Sequence, residues 1–180
     1  GDRKIEYHTE EEENWNITIV DTGYETMTGG RLKQVEKYID DEEFMLTYGD
    51  GLSNVNILEL LEFHRRKGKI GTLTGVNPLS TFGVMEVEDE DVKSFIEKPV
   101  LKDKVNGGFM AFNKEVFKYL PSEDCFLEQE PIRNLAKDKQ LSVYDHKGFW
   151  VAIDTIKDVQ TVNKLWDKGE HLWSIRSEER

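Results

Sequence analysis

Two aspartates that follow apolar runs are the residues best suited to chemistry in this sequence. Asp50 lies between two glycines directly after the run 44–48, and Asp154 follows the run 149–153. Flanking glycines let a bulky ligand approach the backbone, while a strand holds the carboxylate at a fixed height. Paired carboxylates suit Mg²⁺, which takes its remaining ligands from water and substrate phosphates. The alternative is that each aspartate only caps a turn or a helix.

Glycines and charged residues at three other places suit the recognition of a nucleotide or a sugar. The segment 28–31, Thr-Gly-Gly-Arg, predicts a helix start whose exposed N–H groups can meet a phosphate or a base edge. Glu97 can accept a bond from a sugar hydroxyl while Lys98 meets a phosphate. Gly107 and Gly108 would let a sugar ring pack on bare backbone. The ordinary alternatives are turn geometry, an exposed salt bridge and a β-bulge.

The elements that must position these residues alternate between strands and helices. Strands are predicted at 15–20, 44–48, 70–76, 106–112, 141–144 and 149–153. Helices are predicted from residue 28, to residue 67 from a cap at Asn54 or Asn56, at 130–139 and after Asp154, with a helical turn at 114–120 and a small β-hairpin near 82–99. This alternation predicts an α/β fold, a Rossmann-like mixed sheet flanked by helices. Ligand sites of such folds lie beyond the carboxyl ends of strands, so Asp50 and Asp154 are expected to share one crevice.

Composition and charge argue against several classes of partner. The 24 basic and 36 acidic residues give a formal net charge of −12, which argues against a nucleic-acid-binding protein with a broad basic face. No apolar stretch approaches the roughly 20 residues of a membrane span, and no signal peptide is predicted. The single cysteine, Cys125, excludes an intramolecular disulfide, so we expect a cytoplasmic protein. The four histidines share no metal-ligand spacing, and His64 is expected on a solvated helix face.

Six motifs, taken in order, resemble the sugar-phosphate nucleotidyltransferases, and within that family the glucose-1-phosphate cytidylyltransferases. They are Thr28–Leu32, Tyr48–Gly51, Phe82–Gly83, Glu97–Pro99, Asn106–Phe109, and Gly148–Trp150 with Asp154–Thr155. The motifs extend over nearly the whole chain. The resemblance implies the nucleotidyltransferase fold and a reaction of CTP with α-D-glucose 1-phosphate that gives CDP-glucose and pyrophosphate, a step of nucleotide-sugar and polysaccharide biosynthesis.

The resemblance also implies a role for each site residue. Asp50 and Asp154 would hold Mg²⁺, and Lys98 would meet the sugar phosphate as a further catalytic residue. The glucose side would consist of Gly83, Glu97, Gly107 and Gly108. The nucleotide side would consist of Gly30, Arg31 and Tyr48. No protein nucleophile is needed, because the glucose phosphate oxygen would attack the α-phosphorus of CTP directly.

The sequence departs from the family pattern in one respect. Family members begin with a strand and a Gly-rich loop, Gly-Gly-x-Gly-Thr-Arg, followed by a Lys-Pro pair, and these 180 residues contain neither. The expectation is therefore that residues 1–180 correspond to the carboxyl-terminal two-thirds of one domain, inactive alone. Such a chain would expose an unpaired sheet edge and would form a homo-oligomer or associate with the missing amino-terminal portion. The alternatives are a non-catalytic sugar-nucleotide binding or assembly module and a related transferase that uses UTP or dTTP.

Overall fold

The computed structural model describes residues 16–122 and 124–174 of the chain. Eight strands occur in these ranges: β1 Glu43–Thr47, β2 Gly51–Ser53, β3 Gly71–Val76, β4 Val84–Glu88, β5 Asp91–Ile96, β6 Val105–Asn113, β7 Leu141–Asp145 and β8 Trp150–Ala152. The α-helices described are α1 Thr28–Val35, α2 Ile57–Lys67, α3 Glu130–Lys137 and α4 Ile156–Asp167. Two 3₁₀ helices span Glu36–Tyr38 and Lys114–Tyr119.

The central sheet is mixed, and the predicted α/β fold is confirmed. Its strand order is β1-β6-β3-β7. Strand β6 runs antiparallel to both β1 and β3, whereas β7 runs parallel to β3. Because β1, β3 and β7 therefore point the same way, their carboxyl ends share one edge of the sheet with the amino end of β6. This edge is where ligand sites of α/β folds are expected.

The helices lie on both faces of this sheet, as the alternation of side chains along a strand requires. One face carries the main core, in which Met110 and Phe112 of β6 pack with Leu32 of α1 and Leu135 of α3. On the opposite face, α2 reaches the sheet through His64, whose ring bonds to side chains of β3 and β6. Strands β3 and β6 are mostly buried because both faces are covered.

Local signals in the sequence fix the helix ends. The Asn56 side chain accepts hydrogen bonds from the N–H groups of Leu58 and Glu59 at 3.1 and 3.2 Å, and Gly68 ends α2 in the left-handed conformation with φ 58°. Thr155 and Asp158 form a capping box at the start of α4. Within the described ranges, no helix is both long and apolar enough to cross a membrane.

Two predictions about secondary structure and burial are wrong. Residues 16–20 form no strand although β-branched residues dominate, and Ile17 and Ile19 remain 55% and 77% exposed. Local propensity needs a pairing partner to produce a strand; Trp15 lies outside the described residues. His64 is only 2% exposed, because helical spacing places it on the same face as Leu60 despite its charged neighbours.

Helix α2 allows a direct test of which face is buried. Leu60 is fully buried and Leu58, two residues earlier on the same helix, is 71% exposed. We expect Leu60→Ala to lower the free energy of unfolding by about 2–5 kcal/mol, because it leaves a cavity against the sheet. Leu58→Ala is the matched control and should change it by less than about 0.5 kcal/mol. Urea denaturation measures both values, and equal effects would contradict this packing.

Candidate functional site

The two aspartates are brought together by a short antiparallel ribbon of β2 and β8. Gly51 pairs with Ala152 and Ser53 pairs with Trp150. The pairing continues one step further, where the N–H of Ile153 donates to the carbonyl of Asp50 at 2.9 Å. Asp154 therefore follows the residue that faces Asp50, so the two aspartates lie at the same end of this pair of strands. We call this pair of strands the β2–β8 ribbon.

Both carboxylates are exposed and have no competing structural partner. In the described part of the chain, neither Asp50 nor Asp154 accepts a side-chain hydrogen bond or forms an ion pair. Thr155, not Asp154, is the N-cap residue of α4, so the helix-capping alternative does not describe Asp154. An additional Cβ on Gly49 would meet no described atom within 4 Å, which leaves open space beside Asp50.

Tyr48, at the end of β1, is fixed by two polar side chains. Its hydroxyl donates to the Glu128 carboxylate and accepts a long hydrogen bond from Asn106 Nδ2 at 3.5 Å. Burial, and next the hydrogen bond to Glu128, hold the pKa of Tyr48 well above its usual range; the charge of Asp50 acts in the same direction. Tyr48 is therefore a neutral hydrogen-bonding group at any physiological pH.

Gly107 and Gly108 of β6 form a β-bulge, which is the ordinary alternative to a sugar-binding role given above for these glycines. Pairing between β3 and β6 passes from Leu73–Met110 to Gly75–Asn106, which leaves extra residues on β6. Both glycines are buried. The prediction of bare backbone open to a sugar ring is therefore wrong as stated, because protein side chains already cover these residues.

Each of these glycines lies against a different side chain. The carbonyl of Gly107 accepts a hydrogen bond from the Trp150 indole at 2.7 Å. Gly108 has φ 80°, and an added Cβ would lie 2.8 Å from the Tyr48 ring. The bulge thus joins Tyr48, which directly follows β1, to Trp150, on the β2–β8 ribbon.

A second group of predicted residues lies on the hairpin formed by β4 and β5. An added Cβ on Gly83 would lie 2.2 Å from Phe95 Cζ and 3.1 Å from a Glu97 carboxylate oxygen, so Gly83 and Glu97 are neighbours. Lys98 Nζ is 3.9 Å from Glu97 in an exposed ion pair. Lys98 also has φ 47°, a conformation that is strained in any residue with a side chain.

The third group, at the start of α1, differs from its prediction. The N–H groups of Gly29 and Gly30 both donate to the carbonyl of Cys125, at 2.9 and 3.2 Å, and both glycines are buried. The prediction of exposed N–H groups at this helix start is therefore wrong. An added Cβ on Gly29 would lie 2.6 Å from Cys125 Sγ. Close packing against Cys125 therefore explains why a residue without a side chain occupies position 29.

Arg31 is exposed and is held by the turn that precedes α1. Its guanidinium donates to Thr22 Oγ1 at 2.6 Å and to the carbonyl of Tyr24 at 3.1 Å. These two bonds fix the direction of the side chain and leave other N–H groups of the guanidinium for a ligand.

Sequence reasoning missed Glu128 and named Trp150 only as part of a family motif. Glu128 also accepts a hydrogen bond from Thr28 at 2.7 Å, so it joins the start of α1 to Tyr48. No local motif marks Glu128, since its partners lie 80 and 100 residues away. A polar contact of Trp150 could have been expected, because a half-buried indole N–H needs a hydrogen-bond acceptor.

The structure therefore places the predicted residues in three groups. Around the sheet edge are Tyr48, Asp50, Gly107, Gly108 and Asp154. On the hairpin are Gly83, Glu97 and Lys98, and at α1 are Gly30 and Arg31. Among the described residues, no group of three or more His, Cys, Asp or Glu side chains is arranged to hold a metal ion.

Solved structures share the fold. HddC from Yersinia pseudotuberculosis superposes with a TM-score of 0.59 over 79% of this chain and 64% of its own, at 19% identity. The inositol-1-phosphate CTP transferase from T. maritima gives a TM-score of 0.55 over 80% of this chain and 62% of its own, at 18% identity. These likenesses define an α/β fold of the nucleotidyltransferase type.

The family is established by sequence. The family model described as nucleotidyl transferase matches residues 2–171. A probable glucose-1-phosphate cytidylyltransferase from Bacillus subtilis is 47% identical over 91% of this chain and 65% of its own length. The glucose-1-phosphate cytidylyltransferase of Salmonella typhi is 40% identical over 96% of this chain and 68% of its own. The chain belongs to the nucleotidyl transferase family, which confirms the resemblance and the prediction of an enzyme family, and it spans about two thirds of the length of these relatives.

The contact between Gly108 and Tyr48 generates a prediction. We expect Gly108→Ala to lower the free energy of unfolding by at least about 1 kcal/mol, because φ 80° is unfavourable for alanine and the new Cβ meets the Tyr48 ring. Gly49→Ala, where open space surrounds the new Cβ, is the matched control and should be nearly neutral. Thermal and urea unfolding measure both variants. A neutral Gly108→Ala would contradict the described bulge.

Proposed function

We propose that this chain provides the metal and sugar-phosphate side of a glucose-1-phosphate cytidylyltransferase site. The reaction is CTP plus α-D-glucose 1-phosphate giving CDP-glucose plus pyrophosphate. The observation that carries the proposal is the position of Asp50 and Asp154 at one open end of the β2–β8 ribbon. The identity to relatives that are named for this activity supports the choice of substrates.

The donor set fits magnesium. Asp50 and Asp154 offer carboxylate oxygens, the ligands that Mg²⁺ prefers, and neither carboxylate is engaged elsewhere in the described chain. Two protein ligands leave most coordination positions to water and to substrate phosphates, as is usual for Mg²⁺. When bound, the ion would neutralise charge on the phosphates and align them.

The protein's own part in the reaction is positioning. A phosphate oxygen of glucose 1-phosphate forms the new bond to the α-phosphorus of CTP, and the bond from that phosphorus to the bridging oxygen of pyrophosphate breaks. Lys98 contacts the sugar phosphate. Glu97 and Gly83 accept hydrogen bonds that the glucose hydroxyls donate. Since no covalent intermediate with the protein is required, catalysis comes from alignment and charge neutralisation.

Of the two residues expected near the cytosine, Gly30 and Arg31, only Arg31 has donors that are open to a ligand. Gly30 has its N–H committed to Cys125, so Arg31 is the residue proposed to contact the cytosine through its remaining N–H groups. Tyr48 packs beside the nucleotide as a neutral ring. Gly107 and Gly108 shape the glucose pocket indirectly, through the Trp150 and Tyr48 side chains that they hold.

The metal site can be tested with Mn²⁺ as the probe. We expect Asp50→Asn and Asp154→Asn each to weaken Mn²⁺ binding by at least about tenfold, because each removes one of two charged ligands. Added CDP-glucose should tighten binding to the unchanged chain, since its diphosphate supplies further ligands. Electron paramagnetic resonance of free Mn²⁺ measures the affinity. Asp167→Asn, an exposed aspartate at the end of α4, is the control, and an equal loss there would contradict the assignment.

The transferase activity itself has a sharp test. These 180 residues contain no Gly-rich loop to hold the triphosphate. We therefore expect pyrophosphate release from CTP, glucose 1-phosphate and Mg²⁺ to be at least about 100-fold slower with the chain alone than after addition of the amino-terminal third of the Bacillus subtilis relative. The same measurement of pyrophosphate release, with UTP or dTTP in place of CTP, tests the nucleotide preference.

Each outcome of this assay decides between functions. Rapid turnover by the chain alone would contradict the expected dependence on the added portion. Binding of CDP-glucose without turnover, even with that portion present, would favour a non-catalytic sugar-nucleotide binding module. Faster turnover with UTP or dTTP than with CTP would favour a related transferase.

A further inference from the structure

A compact polar cluster closes the end of the β2–β8 ribbon that lies away from the aspartates. Ser53 Oγ donates to the carbonyl of Phe149 at 2.8 Å, and the same carbonyl accepts the N–H of Asn54 at 3.2 Å. His146 Nε2 lies 3.2 Å from both Ser53 Oγ and the Phe149 carbonyl oxygen. We call Ser53, His146 and the Phe149 carbonyl the clamp.

The hydrogen bonds of the clamp assign the histidine tautomer. The Phe149 carbonyl can only accept, and the single proton of Ser53 is directed at that carbonyl. Ser53 Oγ already accepts the N–H of Val55 at 3.2 Å. His146 Nε2 therefore carries a proton and donates to both oxygens. This arrangement argues against a Ser–His nucleophile pair, because Nε2 has no free lone pair to take the serine proton.

The loop that carries His146 is also packed tightly against β2. An added Cβ on Gly148 would lie 2.3 Å from Asn54 Oδ1 and 2.7 Å from the His146 ring. No side chain can be accommodated there without movement. The loop between β7 and β8 is thus seated on the end of β2 by both packing and hydrogen bonds.

The ribbon needs such support. It has three paired residues on each strand and one additional backbone hydrogen bond at each end, to the carbonyls of Asp50 and Phe149, and a two-stranded ribbon alone is at best marginally stable in water. Asp50 stands three residues before Ser53, and Asp154 follows the strand that begins next to Phe149. Any slip or fraying of the ribbon would change the separation of the two carboxylates.

We propose that Ser53 and His146 are positioning residues, which set the spacing of Asp50 and Asp154 by fixing the register of the β2–β8 ribbon. They lie at the end of the ribbon away from Asp50 and Asp154 and would act on the metal site only through the ribbon. The inference rests on the proposed metal-binding role of the two aspartates, and it adds to that role the residues that make the site rigid.

The test compares His146→Leu, which removes the donor, with His146→Gln, whose amide can donate from a similar position. Amide hydrogen exchange by NMR reports on the ribbon without any metal. In His146→Leu the Ile153 and Asn54 amides should exchange about tenfold faster, while amides of β3 and β6 keep their rates. Mn²⁺ affinity, measured separately, should fall about tenfold in His146→Leu and stay near the original value in His146→Gln.

Two further variants keep the test decisive. Ser53→Ala removes the hydroxyl without adding volume and should reproduce the effects of His146→Leu, so it serves if the latter does not fold. Leu58→Ala is the control, because Leu58 is 71% exposed on α2 and lies outside the clamp. It should leave Ile153 exchange and Mn²⁺ affinity unchanged.

The outcomes separate this inference from the proposed function. If Ile153 exchange is unchanged in His146→Leu and Ser53→Ala, the clamp does not fix the ribbon, and this conclusion holds for any result of the Mn²⁺ measurement. Faster exchange with unchanged Mn²⁺ affinity would overturn its role in spacing the aspartates. If the unaltered chain binds no Mn²⁺, the proposed metal site itself is contradicted, and the exchange rates still decide whether the clamp fixes the ribbon.

Discussion

The candidate site depends on the pairing of β2 with β8. These strands bring Asp50 beside Asp154 although the two residues are far apart in sequence, and the last hydrogen bond of the ladder ends at Asp50 itself. The ribbon is too short to be stable alone. Trp150 attaches it to the β-bulge of the central sheet through Gly107, and the clamp attaches it to the loop after β7. The geometry of the site therefore depends both on the ladder of the ribbon and on the contacts that attach the ribbon to its surroundings.

The carboxylates near this edge of the sheet differ in their hydrogen bonding. The chain has a net charge of −12, and a phosphate substrate would be repelled by unpaired acidic groups. Glu128 is stabilised as a carboxylate, because the hydroxyls of Tyr48 and Thr28 both donate to it. The high pKa of Tyr48, caused first by burial and then by Glu128, keeps that hydroxyl a donor. Asp50 and Asp154 are the exception, and a divalent cation between them would reverse the local sign of charge.

The sequence was sufficient for the α/β fold class and for the order of most elements, but it did not predict β2, Gly51–Ser53. Apolar runs, glycines and caps are local signals, so β1, β3, β6 and helices α1 to α4 could be predicted from them. The failures concern contacts made across long distances in sequence. Residues 16–20 have strand composition but no partner, and the amides of Gly29 and Gly30 are taken by a carbonyl of another segment. Glu128 and the clamp are defined by partners on other elements, and no local pattern indicates them.

The proposed ligand contacts differ from the structural ion pairs of the chain. Arg65 donates to both carboxylate oxygens of Glu43, and Lys104 and Lys147 lower the pKa of Asp145 through direct hydrogen bonds. Lys98 lies 3.9 Å from Glu97, beyond hydrogen-bond distance, in a pair that is exposed and therefore weak. A phosphate that binds Lys98 would break no strong interaction. Lys98 nevertheless keeps φ 47°, a conformation that costs of order 1–3 kcal/mol. The surrounding structure therefore offsets this strain in the absence of a ligand, as it does at Asp89, Glu90 and Lys139, which also have positive φ.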